Sequence, residues 1–349
     1  MRVRTVLTVL LSLLSAPLYA QQNKPPADPP LRRWFELQQF AVYTRYRFIE
    51  NSRDVTSSNQ QQYKDSIRAR FNFDTQKRYT VNAGYFTGNS FTSSWNNLGI
   101  GNSTTFDGKN NYFKQLYGAA IPVKGLELQY GGLYVNRGDA DEWVTYDDDG
   151  YLVGERATVR RPKELLLDEI TVTRGGIGPL NQPNLFDRGH LLRHPNYTQV
   201  LGLKRFSSLV SGSLEYDHQI GADIVRGAVT LRFQPHAPVS AVRYEQYHRF
   251  NQNAASGFGV WAERPVTKYV RVQGGYVSVD QVYGGWNADR MLNGRRFFAN
   301  ATVPIAGPLS ASCYVTAALK DSYTVNIHRR FDAVIQYDLL NTLRKAGMF

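Results

Sequence analysis

The sequence predicts an all-β protein in which antiparallel strands close into a transmembrane β-barrel. Apolar and polar residues alternate with a period of two along most of the chain, short turns alternate with long polar loops, and the N-terminus has the pattern of an export signal. In "SIRARFNF" (66–73), four apolar residues on one face oppose polar residues that include two arginines. A period of two is typical of a strand with one apolar face.

The first twenty residues, "MRVRTVLTVLLSLLSAPLYA", have the layout of a secretory signal. Two arginines near the start precede an apolar run from Val6 to Leu14, and the segment ends on Ala20. This order of basic, apolar and small residues is that of a cleaved signal peptide. The mature chain is therefore expected to begin at Gln21, which is not a lipid-anchored cysteine, and the Pro-rich residues 21–33 are expected to form a periplasmic tail.

Composition excludes several classes of protein. Beyond residue 20 no stretch approaches the roughly 18 to 20 consecutive apolar residues of a membrane helix, which excludes a helical inner-membrane protein. The single cysteine, Cys313, provides neither a disulfide framework nor a metal cluster. Removal of residues 1–20 lowers the net charge from +12 to +10. An exported basic chain meets anionic lipid and small anions first, so nucleic acid is not expected as a partner.

The connections between the candidate strands separate a barrel from a soluble sandwich. Very short turns at 74–77, 123–125, 206–208, 235–238, 264–268 and 306–308 alternate with long polar loops at 50–65, 87–111, 136–163 and 280–294. Short turns on one side and long loops on the other are typical of an outer-membrane barrel, whose tilted strands cross the bilayer in about ten residues. Aromatic residues at many strand ends are expected to form girdles at the two membrane interfaces.

With its export signal, its alternating strands over residues 40–340 and its terminal Phe349, the chain resembles the porin-like outer-membrane β-barrels of Gram-negative bacteria. Such barrels typically end in an aromatic residue that assists insertion, although Gly347 and Lys345 do not continue the expected alternation. The nearest specific comparison is with porins of the alginate-export type, which are similar in having an arginine-rich interior. The resemblance implies outer-membrane lipid or lipopolysaccharide, the barrel-assembly machinery and a homotrimer as partners.

Fourteen strands are the first prediction and sixteen the second, because the segment 164–176 is also strand-like and a single-chain bacterial barrel has an even number of strands. The expected division is a signal peptide at 1–20, a tail at 21–33, the barrel at 34–340 and a C-terminal tail at 341–349. Residues 137–195 are expected to form a long loop excursion that is able to fold into the interior.

Inward-facing arginines are the first candidate functional residues. If the aromatic residues that alternate with them face lipid, the arginines must face the interior, where rings of basic residues favour anions. Arg45 and Arg47 on the first strand and Arg68 and Arg70 on the second are expected on facing rungs, where like charges repel. Asp332 on the closing strand is expected to approach Arg47. The full set of predicted pore-lining residues is Arg45, Arg47, Arg68, Arg70, Arg226, Arg232, Arg243, Arg249 and Arg271.

The acidic stretch "RGDADEWVTYDDDG" (137–150) is the second candidate. Its acids are Asp139, Asp141, Glu142, Asp147, Asp148 and Asp149. In general porins the third loop folds into the barrel and faces basic residues across a constriction, and the order and sign of charge here are similar. A solvated acidic loop and a calcium site remain alternatives, although "DDDG" lacks the full ligand spacing of a twelve-residue calcium loop.

These features favour a passive outer-membrane channel, without cofactor or metal, for small hydrophilic and preferentially anionic solutes. A structural or adhesive barrel with a closed interior is the second hypothesis, and an outer-membrane hydrolase is the third. His218 beside Asp217 is the best candidate for catalysis, but adjacent residues on a strand point to opposite faces and cannot easily orient one another. His190 and His194 lack a third ligand for zinc.

Overall fold

A computed structural model describes residues 31–51, 56–88, 93–102, 110–141, 151–160, 166–178, 182–234, 237–280, 294–319 and 327–348. The strands are β1 (Phe35–Glu50), β2 (Thr56–Asn72), β3 (Tyr79–Thr87), β4 (Asn96–Asn102), β5 (Asn111–Val123), β6 (Leu126–Tyr134), β7 (Tyr151–Arg160), β8 (Glu169–Gly176), β9 (Tyr197–Arg205), β10 (Val210–Gln219), β11 (Ala222–Arg232), β12 (Ala241–Arg249), β13 (Ala255–Pro265), β14 (Arg271–Val279), β15 (Gly294–Ala306), β16 (Leu309–Ala318) and β17 (Arg329–Asp338).

Sixteen of these strands form one closed antiparallel barrel. Each wall strand pairs with its neighbours along the chain, and β17 returns to pair with β1. The remaining strand, β4, pairs with the part of β2 that extends beyond β3, while β3 pairs directly with β5. Closure gives every wall strand two neighbours, so that no wall edge is left open to hydrocarbon.

The strand count corrects the first prediction from sequence. Fourteen strands is wrong and sixteen, the second prediction, is right. The difference lies in residues 137–195, where β7 and β8 are wall strands in the middle of the predicted excursion. The two extra strands keep the count even, as a single-chain barrel requires if both termini are to lie at the same end.

Helical structure in the described ranges is short. Helix α1 (Leu31–Trp34) precedes β1, a 3₁₀ helix (Leu185–Arg193) lies between β8 and β9, and helix α2 (Leu339–Lys345) follows β17. Helix α2 occupies most of the predicted C-terminal tail, and Asp338 caps it by accepting a hydrogen bond from the backbone N–H of Asn341. Within these ranges, none of the helices is long and apolar enough to cross a membrane.

The barrel has two distinct ends. At the turn end, neighbouring strands are joined by connections such as Lys124–Gly125 and Gly307–Pro308. At the loop end most connections are longer, but β10 and β11 are joined by only Ile220 and Gly221, which both have positive φ. Positive φ at both central residues is the type I′ pattern, whose twist matches that of the flanking strands.

Side chains alternate between the interior and the outer wall. On β1, Arg45 and Arg47 are buried in the interior while Tyr46 between them is exposed on the outside. Polar side chains fill much of the interior, together with two apolar clusters near the loop end. One cluster consists of Ile224, Tyr247, Trp261, Val277, Val279, Phe298 and Tyr314, and the other of Phe86, Leu133, Val135, Tyr151, Leu152, Ile177 and Tyr197.

Closure predicts a specific crosslink across the seam between β1 and β17. Thr44 and Ile335 are register partners on the outer wall, and paired Cβ atoms lie about 5 Å apart. In a Cys313→Ser background, Thr44→Cys with Ile335→Cys should oxidise to a disulfide, which appears as a mobility shift of the boiled protein on a denaturing gel.

The matched control combines Thr44→Cys with Phe331→Cys. Phe331 lies four residues from Ile335 on the same face, about 13 Å along the strand, so this pair should crosslink poorly. Equal crosslinking of the two pairs would contradict the register.

Candidate pore-lining site

The interior carries a cluster of arginines around one carboxylate at the β1–β17 seam. Arg47 and Asp332 are register partners. The guanidinium of Arg47 donates two hydrogen bonds to the carboxylate of Asp332, from Nε to Oδ1 at 3.0 Å and from Nη2 to Oδ2 at 3.2 Å. Arg330 donates to Oδ2 at 2.7 Å, and Nη1 of Arg45 lies 3.5 Å from the same oxygen. The predicted approach of Asp332 to Arg47 is therefore confirmed, and Asp332 also holds two further guanidiniums that the prediction did not include.

Neighbouring groups hold these arginines in place. The Nε of Arg45 donates to the side-chain oxygen of Gln62 at 2.8 Å, and its guanidinium carbon lies 3.9 Å from the centre of the Trp95 ring. Trp95 precedes β4, so the connection between β3 and β5 covers Arg45 from inside the barrel. Two strands from β17, Arg296 donates to the carbonyl of Ile327 at 2.7 Å. Arg45, Arg47, Arg296 and Arg330 with Asp332 are called the basic cluster below.

A second charged group lies on β10, β11 and β12. Arg226 is buried and donates to both Glu215 and Asp217. Glu215 also accepts a hydrogen bond from Gln199 at 2.8 Å. On β12, Glu245 is fully buried and accepts from the backbone N–H of Asp141 at 2.8 Å. Two carboxylates, Glu215 and Asp217, therefore face the single guanidinium of Arg226.

Residues 135–141 run along the interior face of this wall. The amide of Asp139 donates to Ser213 at 2.9 Å, and its carboxylate accepts from Ser211 at 2.9 Å. Asp141 lies 3.5 Å from Arg243. Asp139, Asp141, Glu215, Asp217 and Glu245 are called the acidic cluster. The other predicted loop acids, Glu142, Asp147, Asp148 and Asp149, lie outside the described residues.

The two clusters lie on opposite sides of the barrel. In the ring of sixteen strands, β10 is the eighth strand from β1 in either direction. Arg47 lies three residues from the loop end of β1, and Asp217 lies two residues from the loop end of β10. A solute that passes between the two walls near the loop end would therefore cross a field directed from guanidiniums to carboxylates.

Register separates the four arginines that were expected on facing rungs. Arg45 pairs with Gln62, whereas Arg68 pairs with Gln39, so the two arginine pairs are offset by six residues, or about 20 Å. The expectation of facing rungs is wrong because the strands are staggered, as the tilt of a closed barrel requires. The guanidinium of Arg68 lies 4.7 Å from the Tyr134 ring centre, and Arg70 donates to Asn82 at 3.1 Å.

The remaining predicted arginines have different surroundings. Arg232 donates to Ser211 at 2.9 Å. Arg271 lies at the turn end, where its side chain is 71% exposed and its Nε is 3.6 Å from Glu263. At the loop end of β12, Arg249 donates to the carbonyls of Gln252 and Asn253 at 2.8 and 2.6 Å. Arg249 therefore secures the β12–β13 connection.

Several charged residues with partners in the structure were missed from the sequence. Arg156 and Arg160 lie on β7, which was assigned to a loop; Arg160 bridges Glu127 at 2.6 Å and Glu169 at 2.7 Å. The alternation of "RATVR" (156–160) was an available signal for this strand. Within the 3₁₀ helix of the β8–β9 connection, Arg188 is 2% exposed and donates to the carbonyl of Gln182. Burial lowers the pKa of Arg188 to about 10.

The histidines provide little support for the catalytic or metal-binding alternatives. Asp217 faces the interior and binds Arg226, while Nδ1 of His218 on the outer wall lies 2.8 Å from Asp223. The predicted opposite orientation of Asp217 and His218 is confirmed. His190 makes a contact of 3.1 Å with the Asp187 carbonyl. Among the described residues, no group of three or more His, Cys, Asp or Glu side chains is placed to hold a metal ion.

Comparison with solved structures identifies the architecture. A Salmonella typhi OmpF structure in complex with daunomycin matches with a TM-score of 0.56 at 13% identity, covering 87% of this chain and 97% of that one. This chain has the porin fold. A triple mutant of the Rhodopseudomonas blastica porin gives a TM-score of 0.54 at 11% identity over 87% of this chain and 99% of that one.

A third structure, described as "Asymmetric conductivity of engineered proteins", matches this porin fold with a TM-score of 0.57 at 10% identity, covering 87% of this chain and 99% of that one. No protein-family model matches the chain, and no curated protein matches it. The three structural matches extend over nearly the whole length of the matched chains, so the likeness concerns the complete barrel.

Removal of the carboxylate at the seam should destabilise the barrel strongly. Asp332→Asn leaves Arg45, Arg47 and Arg330 close together without their shared anion, and breaking a buried ion pair costs about 3–5 kcal/mol. Urea unfolding in lipid vesicles, followed by tryptophan fluorescence, measures the change in the free energy of unfolding.

The matched control is Glu263→Gln, which removes the partner of the exposed Arg271. Exposed ion pairs contribute about 1 kcal/mol or less. If Asp332→Asn were no more destabilising than Glu263→Gln, the basic cluster would not depend on Asp332.

Proposed function

We propose that this chain is an outer-membrane channel of the porin type for the passive diffusion of small hydrophilic solutes, with a preference for anions. The observation that carries the proposal is the basic cluster, in which Arg45, Arg47 and Arg330 share one carboxylate, Asp332, and Arg296 adds a fourth guanidinium on β15. An arrangement of several guanidiniums inside a pore favours anions and phosphates over cations.

The opposite wall supports a transverse field as part of this function. The acidic cluster attracts the cationic part of a solute while the basic cluster attracts the anionic part, so the two walls would orient a dipolar solute between them. Residues 135–141 narrow the interior on the acidic side, because they lie against β10 and β12. Selection would then depend on the size and charge of the solute, without chemical change.

A barrel with a closed interior is the second candidate, and burial of the arginines favours it. Arg45 is 6% exposed, Arg47 8% and Arg330 3%, so these guanidiniums have limited contact with water in this conformation. In this alternative the clusters are structural, and the loops at the loop end bind partners. An outer-membrane hydrolase is disfavoured, since no candidate histidine is paired with both a base-orienting acid and a nucleophile in the described contacts.

The proposed location is the outer membrane, reached through the signal peptide at 1–20. The tyrosines and phenylalanines exposed on the outer wall support contact with lipid. The proposed partners are lipopolysaccharide, the barrel-assembly machinery and two further copies of the chain, which would form a homotrimer.

Reversal potential under a KCl gradient tests the anion preference. The wild type in a planar bilayer should favour chloride, and Arg45→Gln with Arg47→Gln should move the potential toward that of potassium, because two positive charges leave the basic cluster. Arg45→Lys with Arg47→Lys keeps the charge and should retain most of the selectivity.

Arg78→Gln serves as the control, since Arg78 lies in the β2–β3 turn and pairs with Asp74. Heat-shifted migration on gels establishes that each variant is folded. Identical reversal potentials in the wild type and the double Gln variant would overturn the proposed role of the basic cluster, and an inserted barrel that carries no current would favour the closed alternative.

A further inference from the structure

One arginine of the interior differs from its neighbours in its surroundings. Of the four arginines on β1 and β2, three lie 3.0 to 3.8 Å from an acid, which is Asp332 for the two on β1 and Glu36 for Arg70. Arg68 is partly buried. It forms no ion pair or hydrogen bond with the described part of the chain, and its Nε is buried without a hydrogen-bond partner. Because burial removes a charged group from water, such an arginine ordinarily has an anion beside it.

Two aromatic rings hold the guanidinium of Arg68. Its central carbon lies 5.2 Å from the ring centre of Phe86 and 4.7 Å from that of Tyr134. Phe86 lies on β3, and Tyr134 is the last residue of β6, directly before the segment that narrows the interior. The face of an aromatic ring attracts a cation, but it accepts no hydrogen bond in the plane of the guanidinium. The rings therefore fix the position of Arg68 and leave its N–H groups to another acceptor.

A buried glutamine lies on the same rung of the barrel. Arg68 pairs with Gly84, and Gly84 pairs with Gln115 on β5. A Cβ at Gly84 would lie 2.5 Å from Cε2 of Phe86 and 3.0 Å from Oε1 of Gln115, so the glycine leaves this space to the ring and the amide. Gln115 is 6% exposed, and within the described ranges its side chain forms no hydrogen bond. Since buried polar groups are normally hydrogen-bonded, two such groups beside one ring indicate the place of a ligand.

We propose that Arg68 and Gln115 form a subsite for the carboxylate of a small organic acid, whose apolar part packs against the neighbouring aromatic rings. The forked N–H groups of Arg68 match the two oxygens of a carboxylate, and the amide of Gln115 donates a further hydrogen bond. The inference that this solute also permeates rests on the proposed function, because the subsite lies inside the same channel.

The surroundings of Arg68 favour a carboxylate over inorganic phosphate. The subsite supplies one positive charge and one amide, and the rest of its described wall is aromatic. A phosphate dianion would lose more hydration than these two groups replace, whereas a carboxylate carries a single charge and brings an apolar body that the rings can cover.

The subsite is separate from the basic cluster. Arg68 lies six residues closer to the turn end of β2 than Gln62, the partner of Arg45, which is about 20 Å along the strand. The guanidiniums of the basic cluster share Asp332, whereas that of Arg68 has its N–H groups available for a solute. A solute that moves from the loop end to the turn end would therefore reach Arg68 after it has passed the basic cluster.

Saturation-transfer NMR with benzoate tests the subsite on the purified protein in detergent, with protein-free micelles as the background. The method detects weak binding and needs no current through the pore. Benzoate should bind to the wild type, and acetate should bind more weakly because it has no ring to pack against the aromatic wall. An equal concentration of inorganic phosphate at constant ionic strength should leave benzoate bound. Displacement of benzoate by phosphate under these conditions would overturn the assignment to a carboxylate.

Single variants separate direct contact from a structural role. Arg68→Gln should weaken benzoate binding about tenfold through loss of a charge-assisted hydrogen bond. Arg68→Lys keeps the charge without the fork, so it should bind benzoate about threefold more weakly than the wild type. Gln115→Leu leaves Arg68 and its two rings in place and should weaken binding about fivefold. If Arg68 served only to support Tyr134, Gln115→Leu would bind benzoate as the wild type does.

Arg232→Gln is the matched control. Arg232 faces the interior from β11, which lies opposite β2 in the ring of sixteen strands, and it donates to Ser211 at 2.9 Å. Its loss should leave benzoate binding unchanged, and an effect equal to that of Arg68→Gln would show that benzoate responds only to the net charge of the interior.

All variants are first checked for heat-shifted migration, and Arg68→Lys and Gln115→Leu give the test if Arg68→Gln fails to fold. A conducting wild type that binds no benzoate would overturn the subsite and leave the channel in place. Benzoate binding that depends on Arg68 in a barrel that carries no current would support the subsite and overturn the proposed function.

Discussion

Pairing of the last strand with the first is the constraint on which the rest of the structure depends. A sheet with free edges cannot remain in hydrocarbon, because each unpaired backbone group there costs several kcal/mol. Once β17 pairs with β1, the polar face of every strand is enclosed and the apolar face is turned outward. Asp332 and Arg47 are register partners at this seam, so a buried ion pair of the interior lies at the point of closure.

Closure also fixes the distribution of charge around the interior. The basic cluster lies at the seam, and the acidic cluster lies on the opposite wall, eight strands away. Each cluster is partly covered by a loop that folds inward: Trp95 lies over Arg45, and residues 135–141 lie against β10 and β12. The loops therefore narrow the interior and contribute Asp139 and Asp141, while the wall strands supply the other charges of the two clusters.

The general architecture could be predicted from the sequence, because the alternation of apolar and polar residues with a period of two is visible within each single strand. It predicted the inward direction of Arg45 and Arg47, since Tyr46 between them has to face outward. It also predicted the approach of Arg47 to Asp332, which needed only the rule that the last strand meets the first. Strand β7 was missed because the acidic stretch before it has the composition of a loop. The segment that forms β8 was recognised as strand-like, but without β7 it would have made the strand count odd.

Register and loop placement could not be predicted. The offset between Arg45 and Arg68 follows from the stagger of the whole barrel, which depends on the number of strands and therefore on β7 and β8. The contact of Trp95 with Arg45 joins residues fifty positions apart through an inward fold of a long connection. In the sequence, Glu155 and Arg174 could not be distinguished from charges in a loop. The register of β7 and β8 shows that they lie side by side on the outer wall.

The central claim is that the polar interior is a continuous path for water and ions. The unitary conductance of the purified wild-type protein in a planar lipid bilayer tests it most directly. Discrete current steps that persist at low voltage and increase with salt concentration are the predicted result. Barrels that insert, retain heat-shifted migration and carry no current under the same conditions would contradict the account.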